Sequence, residues 1–220
     1  MNRPLALSLA AVVLLAAAAA AQVGIPYVGE IVHADVEASL IVSPDGAGTP
    51  FAEAYASGWN TIDATVRVRL VDIHYDAVAY FPPEDMWLDF PHDPGTALSC
   101  VDHGYPPPVS FFHPDHVTDT DGWTEFALPL RGGGWSEGPA TVYLNGSPAV
   151  DPWGNVFDPV PLRMNSPDVN GDLAVDLTDI ALFAQIGFDT YDYRVDFCWD
   201  GEIDLCDVVQ FVAHLGAGCE

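Results

Sequence analysis

The sequence predicts a mostly β protein with a small α module: an antiparallel β-sandwich over residues 22–164, a connector at 165–167 and a two-helix module over 168–220. Three observations carry this prediction. Apolar and polar residues alternate at period two between about Ile31 and Leu162, punctuated by Gly, Pro and Asp. After Met164 the apolar spacing becomes helical. Finally, the stretch Asp168 to Asp179 recurs 28 residues later as Asp196 to Asp207.

The chain opens Met-Asn-Arg-Pro, followed by an apolar run from Leu5 to Ala21 that ends in three alanines. A short basic start, an apolar centre and small residues at the end describe a secretory signal over 1–21. The run is only about as long as the shortest bilayer span, which favours a cleaved signal over a membrane anchor. The mature chain is therefore expected outside the cell, with no membrane insertion after cleavage. Thirty-two acids stand against six arginines and no lysine, a net charge of -26. That balance repels nucleic acid and favours cations.

In the first half the clearest strand is Thr65 to Val71, where Val66, Val68 and Leu70 share one face and Arg67 and Arg69 the other. Further strands are expected at Glu37 to Val42, Met86 to Phe90, Ala97 to Val101, Thr124 to Leu130, Ala140 to Leu144 and Val160 to Met164, with turns at Pro44-Asp45-Gly46, Thr120-Asp121-Gly122 and Asn145-Gly146. Seven short strands in this length suit a sandwich.

The run Val66 to Asp72, then Ala77-Val78-Ala79, then Thr118-Asp119-Thr120-Asp121-Gly122-Trp123-Thr124-Glu125-Phe126 and Ala140-Thr141-Val142 resembles bacterial Ig-like domains of the invasin and intimin type. The resemblance implies an Ig-like sandwich that acts as a spacer or adhesive module.

The second half aligns Asp168 with Asp196, Asp172 with Asp200, Asp176 with Asp204, Asp179 with Asp207, Leu177 with Leu205 and Phe183 with Phe211. In each copy an acidic loop runs into an apolar helical segment, Leu177 to Phe188 and Leu205 to Leu215. Calcium takes six to eight oxygens, and a twelve-residue loop with acids or amides at places one, three, five, nine and twelve, plus the backbone carbonyl at seven, can wrap it. The candidate ligands are Asp168, Asn170, Asp172, Ala174 through its carbonyl, Asp176 and Asp179, then Asp196, Asp200, Glu202 through its carbonyl, Asp204 and Asp207. The apolar eighth residues, Val175 and Ile203, are expected to pair the two loops.

Two such loops, each followed by a helix and closed by Asp, resemble the dockerin family over Asp168 to about Gly216. The resemblance implies calcium as cofactor, a pair of antiparallel helices and docking on a cohesin-type receptor, often at a cell surface and often in polysaccharide breakdown. It also makes the tenth and eleventh places, Leu177-Thr178 and Leu205-Cys206, the partner-contacting residues. Leu173 replaces the usual sixth-place glycine at a cost of about 1 kcal/mol. Cys198 removes an oxygen from the second loop, so the first site is expected to be the stronger.

An eleven-residue helix from Leu205 would hold Cys206 and Cys219 too far apart to pair. Cys198 with Cys206 would staple the second loop, leaving Cys100 and Cys219 either free or joined across the halves. The rival reading places an enzyme or carbohydrate-binding site in the loop 91–121, using His92, His103, His113, His116, Asp93, Asp102 and Asp115. Glu84, Asp85 and Glu125 offer acids for a glycosidase, and Trp59, Trp123, Trp135 and Trp153 offer stacking platforms. No nucleophile elbow or phosphate loop is present, and the chain is read as noncatalytic.

Overall fold

The structure, a computed structural model, describes residues 25–58, 60–92, 95–100, 111–187 and 190–219. The expected signal at 1–21 lies outside them, as do Trp59, Asp93, Asp102 and His103.

The described chain is mostly β with two α-helices. Its strands are β1 (Tyr27–Val32), β2 (Ala38–Ile41), β3 (Ala54–Ala56), β4 (Asn60–Ile62), β5 (Val66–Val71), β6 (Met86–Asp89), β7 (Leu98–Ser99), β8 (Trp123–Phe126), β9 (Gly132–Gly133), β10 (Thr141–Leu144), β11 (Ser147–Pro148) and β12 (Leu162–Asn165). The helices are α1 (Leu177–Gly187) and α2 (Leu205–Ala213). They pair as four small sheets, in the orders β1-β5-β8, β11-β10-β6, β12-β2-β3-β4 and β7-β9.

Alternation decides which faces are buried. In β5, Val66, Val68 and Leu70 are buried while Arg67 is exposed and Arg69 half-buried, and the strand lies between β1 and β8. The residues that prompted the Ig-like resemblance have local physical roles. Asp72 ends β5 by accepting the N–H groups of His74 and Asp76. Asp119 does the same for Asp121 and Trp123, setting the turn into β8. Gly122 has φ +83 and sits against the Leu70 carbonyl, where an added Cβ would lie 2.3 Å away.

The expectation of purely antiparallel pairing is corrected at one strand pair and at one isolated bridge, Ser43 with Arg131. β12 runs parallel to β2, with Leu162 opposite Ala38 and Asn165 opposite Ile41. Alternation fixes which side chains are buried but leaves strand direction open. β2 is buried on both faces: Ala38, Leu40 and Val42 belong to the main β core, whereas Ile41 belongs to a second core with Val169, Val175, Val195, Phe197, Phe211 and Ala217. Phe183 packs on Phe197 and Phe211, with ring centroids 6.0 and 5.2 Å away.

The segment 165–167 is itself buried, and Asn165 closes β12. Its side-chain amide donates to the carbonyls of Tyr193 and Asp196, at 3.2 and 2.7 Å. The Ser39 and Tyr193 hydroxyls are 2.8 Å apart. A β strand thus forms one wall of the C-terminal core.

Candidate metal centre

Both acidic loops are built around their first and last aspartates. Asp168 is fully buried; its Oδ1 accepts from the N–H groups of Gly171 and Asp172, and its Oδ2 from that of Leu173, at 2.7 Å. Asp179 accepts from Asn170 through Oδ1 and from Asp176 through Oδ2, tying the loop to the first turn of α1. Asp172 accepts from Ala174 N–H and from the Asn170 amide, whose Oδ1 in turn accepts from Asp172 N–H. Carboxylate oxygens of Asp168, Asp172 and Asp179 lie within 4.8 Å of one another.

These three carboxylates can hold a cation. Each has about four lone-pair sites and spends only two or three on the loop's own N–H groups. Asn170 stands beside them through its bonds to Asp172 and Asp179. Asp176 is turned to another task, accepting from Thr178 N–H at the start of α1.

Leu173 does occupy the position that demands a left-handed backbone, with φ +69. The two loops share the strain differently: the fourth and sixth places are left-handed in both, filled by Gly171 and Leu173 in the first and by Trp199 (φ +47) and Gly201 in the second. The Leu173 N–H bond to Asp168 stabilises the strained conformation.

In the second loop, no group of three or more acids, histidines or cysteines with converging ligand atoms occurs among the described residues. Two contacts explain the difference. Cys198, at the third place, is bonded to Cys206, at the eleventh, so a disulfide stands where the first loop has the Asn170 amide. The Tyr191 hydroxyl donates to Asp196 Oδ2 at 2.9 Å, taking up an oxygen that also accepts from Gly201. Asp204 caps α2 in a reciprocal box with Asp207, which also accepts from Phe197 and Cys198. Asp200 accepts from Glu202 N–H.

Val175 and Ile203 meet in the second core through their side chains, with no backbone hydrogen bond between them. Val175 N–H donates to Ala217 and its carbonyl accepts from Gly216, so its backbone is committed to the C-terminal tail. Ile203 instead packs its side chain against the second core. Cys219 N–H reaches the Leu173 carbonyl, and Cys219 is disulfide-bonded to Cys100, just beyond β7. Sequence reasoning gave this tail no role beyond the alternative of a Cys100–Cys219 bridge between the halves. It also missed Gly133 on β9, whose absent side chain makes room for Asp168: a Cβ there would fall 1.8 Å from Oδ2. The adjacent Gly134 N–H donates to the Asp168 carbonyl at 2.9 Å.

Burial, followed by the charges of Asp179 and Asp172, pushes the Asp168 carboxyl up to about 7 from its ordinary 3.8. Burial also raises Asp179, Asp196 and Asp207. A carboxyl raised in the folded state binds more protons there than in the unfolded chain. The metal-free fold should therefore gain stability as pH falls from 8 through 7 towards 4. A bound cation favours the ionised form, so its stabilising increment should grow as pH rises through 7. Melting curves at pH 5.5 and 8, in chelator and in excess calcium, check this; an increment independent of pH would contradict it.

The remaining candidates are dispersed. His113 Nδ1 lies 3.0 Å from the Met86 carbonyl and 3.2 Å from that of Pro83, and His116 Nδ1 lies 2.8 Å from the Val117 carbonyl. Asp115 accepts from the Ala127 and Leu128 N–H groups. Glu125 faces Arg67 at 3.8 Å, and the Arg67 guanidinium covers the Trp123 ring. Trp153 packs on Tyr75, and Trp135 lies under Arg194. Leu177 and Leu205 are 77% and 73% exposed, Thr178 is exposed, and Cys206 is half-buried by its disulfide. No helix among the described residues is long and apolar enough to cross a membrane. No family model matches the chain, and no curated protein matches it.

Proposed function

We propose that this is a secreted, noncatalytic protein that binds calcium through a dockerin-like module at 168–220, docks on a cohesin-type scaffold or surface receptor, and thereby presents an Ig-like β domain. The observation that carries this reading is the convergence of Asp168, Asp172 and Asp179 at the first, fifth and twelfth places of a loop that recurs 28 residues on. An oxygen-only site of hard carboxylates suits calcium. The two disulfides fit an oxidising compartment, where free calcium is abundant. Leu177 and Leu205 stand at the tenth place of the two copies, each opening a helix with a large exposed apolar side chain. Together with Val208, Val209 and Val212 on α2, they offer an apolar surface to a protein partner.

Calorimetry on the full chain should find one calcium ion per molecule, held by the first loop, because the second spends its third place on a disulfide. A chelator should lower the melting temperature; binding at about 100 times the dissociation constant is worth roughly 2.7 kcal/mol. Two equivalent ions would show that the second loop rearranges to bind, and no calcium response at all would sink the reading. Docking is tested by capture on a panel of cohesin domains, with Leu177→Asp and Leu205→Asp expected to abolish it. Hydrolysis of a polysaccharide by the pure protein would overturn the noncatalytic part.

A further inference from the structure

We propose that the turn Asn145-Gly146 is a site of covalent self-modification, where water converts the asparagine to aspartate or isoaspartate, and that the closed acidic loop guards the same dipeptide at Asn170-Gly171. This goes beyond the calcium and docking reading and needs neither. Asn-Gly occurs at these two places in the chain. The Gly nitrogen attacks Cγ of the preceding Asn, which is easy because glycine has no Cβ to shield it. The new N–C bond closes a cyclic imide, the Cγ–Nδ2 bond breaks, and ammonia leaves with the proton of the attacking N–H. Water then opens the ring at either carbonyl. One opening gives aspartate; the other gives isoaspartate, whose main chain runs through the side-chain carbon and is longer by a methylene.

Geometry leaves the first copy open. Asn145 and Gly146, with φ +50 and +83, are the two central residues of the hairpin that joins β10 to β11, and both are exposed. The Asn145 N–H is held by the Asp85 carbonyl at 2.8 Å, but its side-chain amide and the Gly146 N–H have no hydrogen-bond partner among the described residues. The space around Gly146 is empty, since an added Cβ would meet nothing within 4 Å. β11 is an edge strand whose residues, Ser147 and Pro148, are both exposed, so the turn can change shape without disturbing the core. Nothing holds the attacking nitrogen and the amide apart.

At the second copy every group the reaction needs is already engaged. The Gly171 N–H donates to Asp168 Oδ1 at 2.9 Å. The Asn170 amide donates to Asp172 Oδ2 and its Oδ1 accepts from the Asp172 N–H, each at 2.8 Å. Gly171 is also packed against Thr96, whose carbonyl oxygen would lie 3.1 Å from an added Cβ. Attack requires the Gly171 bond and the clamp on the Asn170 side chain to open together, which slows it about a hundredfold. The consequences differ as well. At Asn145 an extra methylene breaks a two-residue turn and frees Ser147 and Pro148 from β10. At Asn170 it would separate Asp168 from Asp172 and undo the converging carboxylates.

The test is incubation of the full-length protein at pH 8 in chelator, followed by peptide mapping by mass spectrometry and assay of released ammonia. Synthetic peptides spanning 141–149 and 166–174 give the unhindered rates. Asn145 should convert within about tenfold of the rate in its peptide, and Asn170 about a hundredfold more slowly than in its own. Asp168→Ala frees the Gly171 N–H and should speed conversion of Asn170 by about tenfold or more while leaving Asn145 unchanged. Melting curves show whether that variant is folded, and Asp172→Ala, at an exposed position, releases the Asn170 amide and should act in the same direction. Slower conversion of Asn145 than this, conversion of Asn170 at the rate of its peptide, or an Asn170 rate unmoved by both variants would overturn the proposal. Because chelator is present throughout, its failure is distinguishable from failure of the calcium site.

Discussion

Replacing Cys100 and Cys219 together by serine should lower the melting temperature by roughly 10–20 °C, against roughly 5–10 °C for the Cys198 and Cys206 pair. The difference follows from chain entropy. The first bridge closes a separation of 119 residues and the second only 8. The loop-closure model then gives about 5 and about 2.5 kcal/mol. Position adds to the first figure. Cys219 ends the tail that pairs with loop residues 173–175, and Cys100 follows β7, which pairs with β9 and so with Gly133 beneath Asp168. The bridge therefore closes a ring around the first acidic loop, and cutting it should weaken calcium binding as well as stability. Paired thermal scans and calcium titrations of the two double variants check this. Equal shifts would show that the Val175 ladder and the second core hold the tail without the covalent link.

Asp168→Ala is expected to lose about 3 kcal/mol and the whole calcium response. The substitution strands the N–H groups of Gly171, Asp172 and Leu173, each costing about 1–3 kcal/mol if left without a partner. Part of that loss is offset, because burial already disfavours the ionised carboxylate near pH 7. In a chain of this size the change corresponds to a drop of roughly 6–12 °C. Asp168→Asn separates the two roles. It retains one accepting oxygen, so it should fold better than the alanine variant, yet it removes a charged ligand and should still fail to bind calcium. A calcium-dependent rise in melting temperature in either variant would place the ion elsewhere. Asp176→Ala is the contrasting case: that side chain is exposed and serves the start of α1, so its loss should cost about 1 kcal/mol.

Much of the fold was legible because each element carries its own periodic signature. All seven strands expected from alternation contain or overlap an observed strand, from β2 and β5 to β12. Both helices start at the predicted residues, Leu177 and Leu205, since an aspartate at the ninth place and another at the twelfth fix the first turn in each copy. The strands that were missed are β1, β3, β4, β9 and β11; β1 is six residues long, but its alternation is interrupted at Gly29, where its register with β5 shifts. β3, β4, β9 and β11 are two or three residues long and form because a neighbour supplies their hydrogen bonds.

The sequence by itself determined the mostly β character of the chain, its two helices and the repeated loops, because alternation, helical spacing and Asp-to-backbone bonding act over a few residues. It also placed Leu173 in a strained position, as its φ bears out. Cys198 already pointed to the first loop as the fuller set of oxygens; only the tertiary structure decided which cysteines pair and which strand walls the second core. Those outcomes depend on contacts that no local period records: Gly133 yielding space to Asp168 and Cys100 meeting Cys219 from far along the chain, and, at short range, Tyr191 capturing Asp196 and Ile41 facing away from Leu40. The two loops share only the aspartates at places one, five, nine and twelve and the leucine at ten; the Cys198–Cys206 bridge and the Tyr191 bond to Asp196 in the second, and the space that distant Gly133 leaves for Asp168 in the first, set the difference between a converging set of oxygens and a disulfide-closed turn.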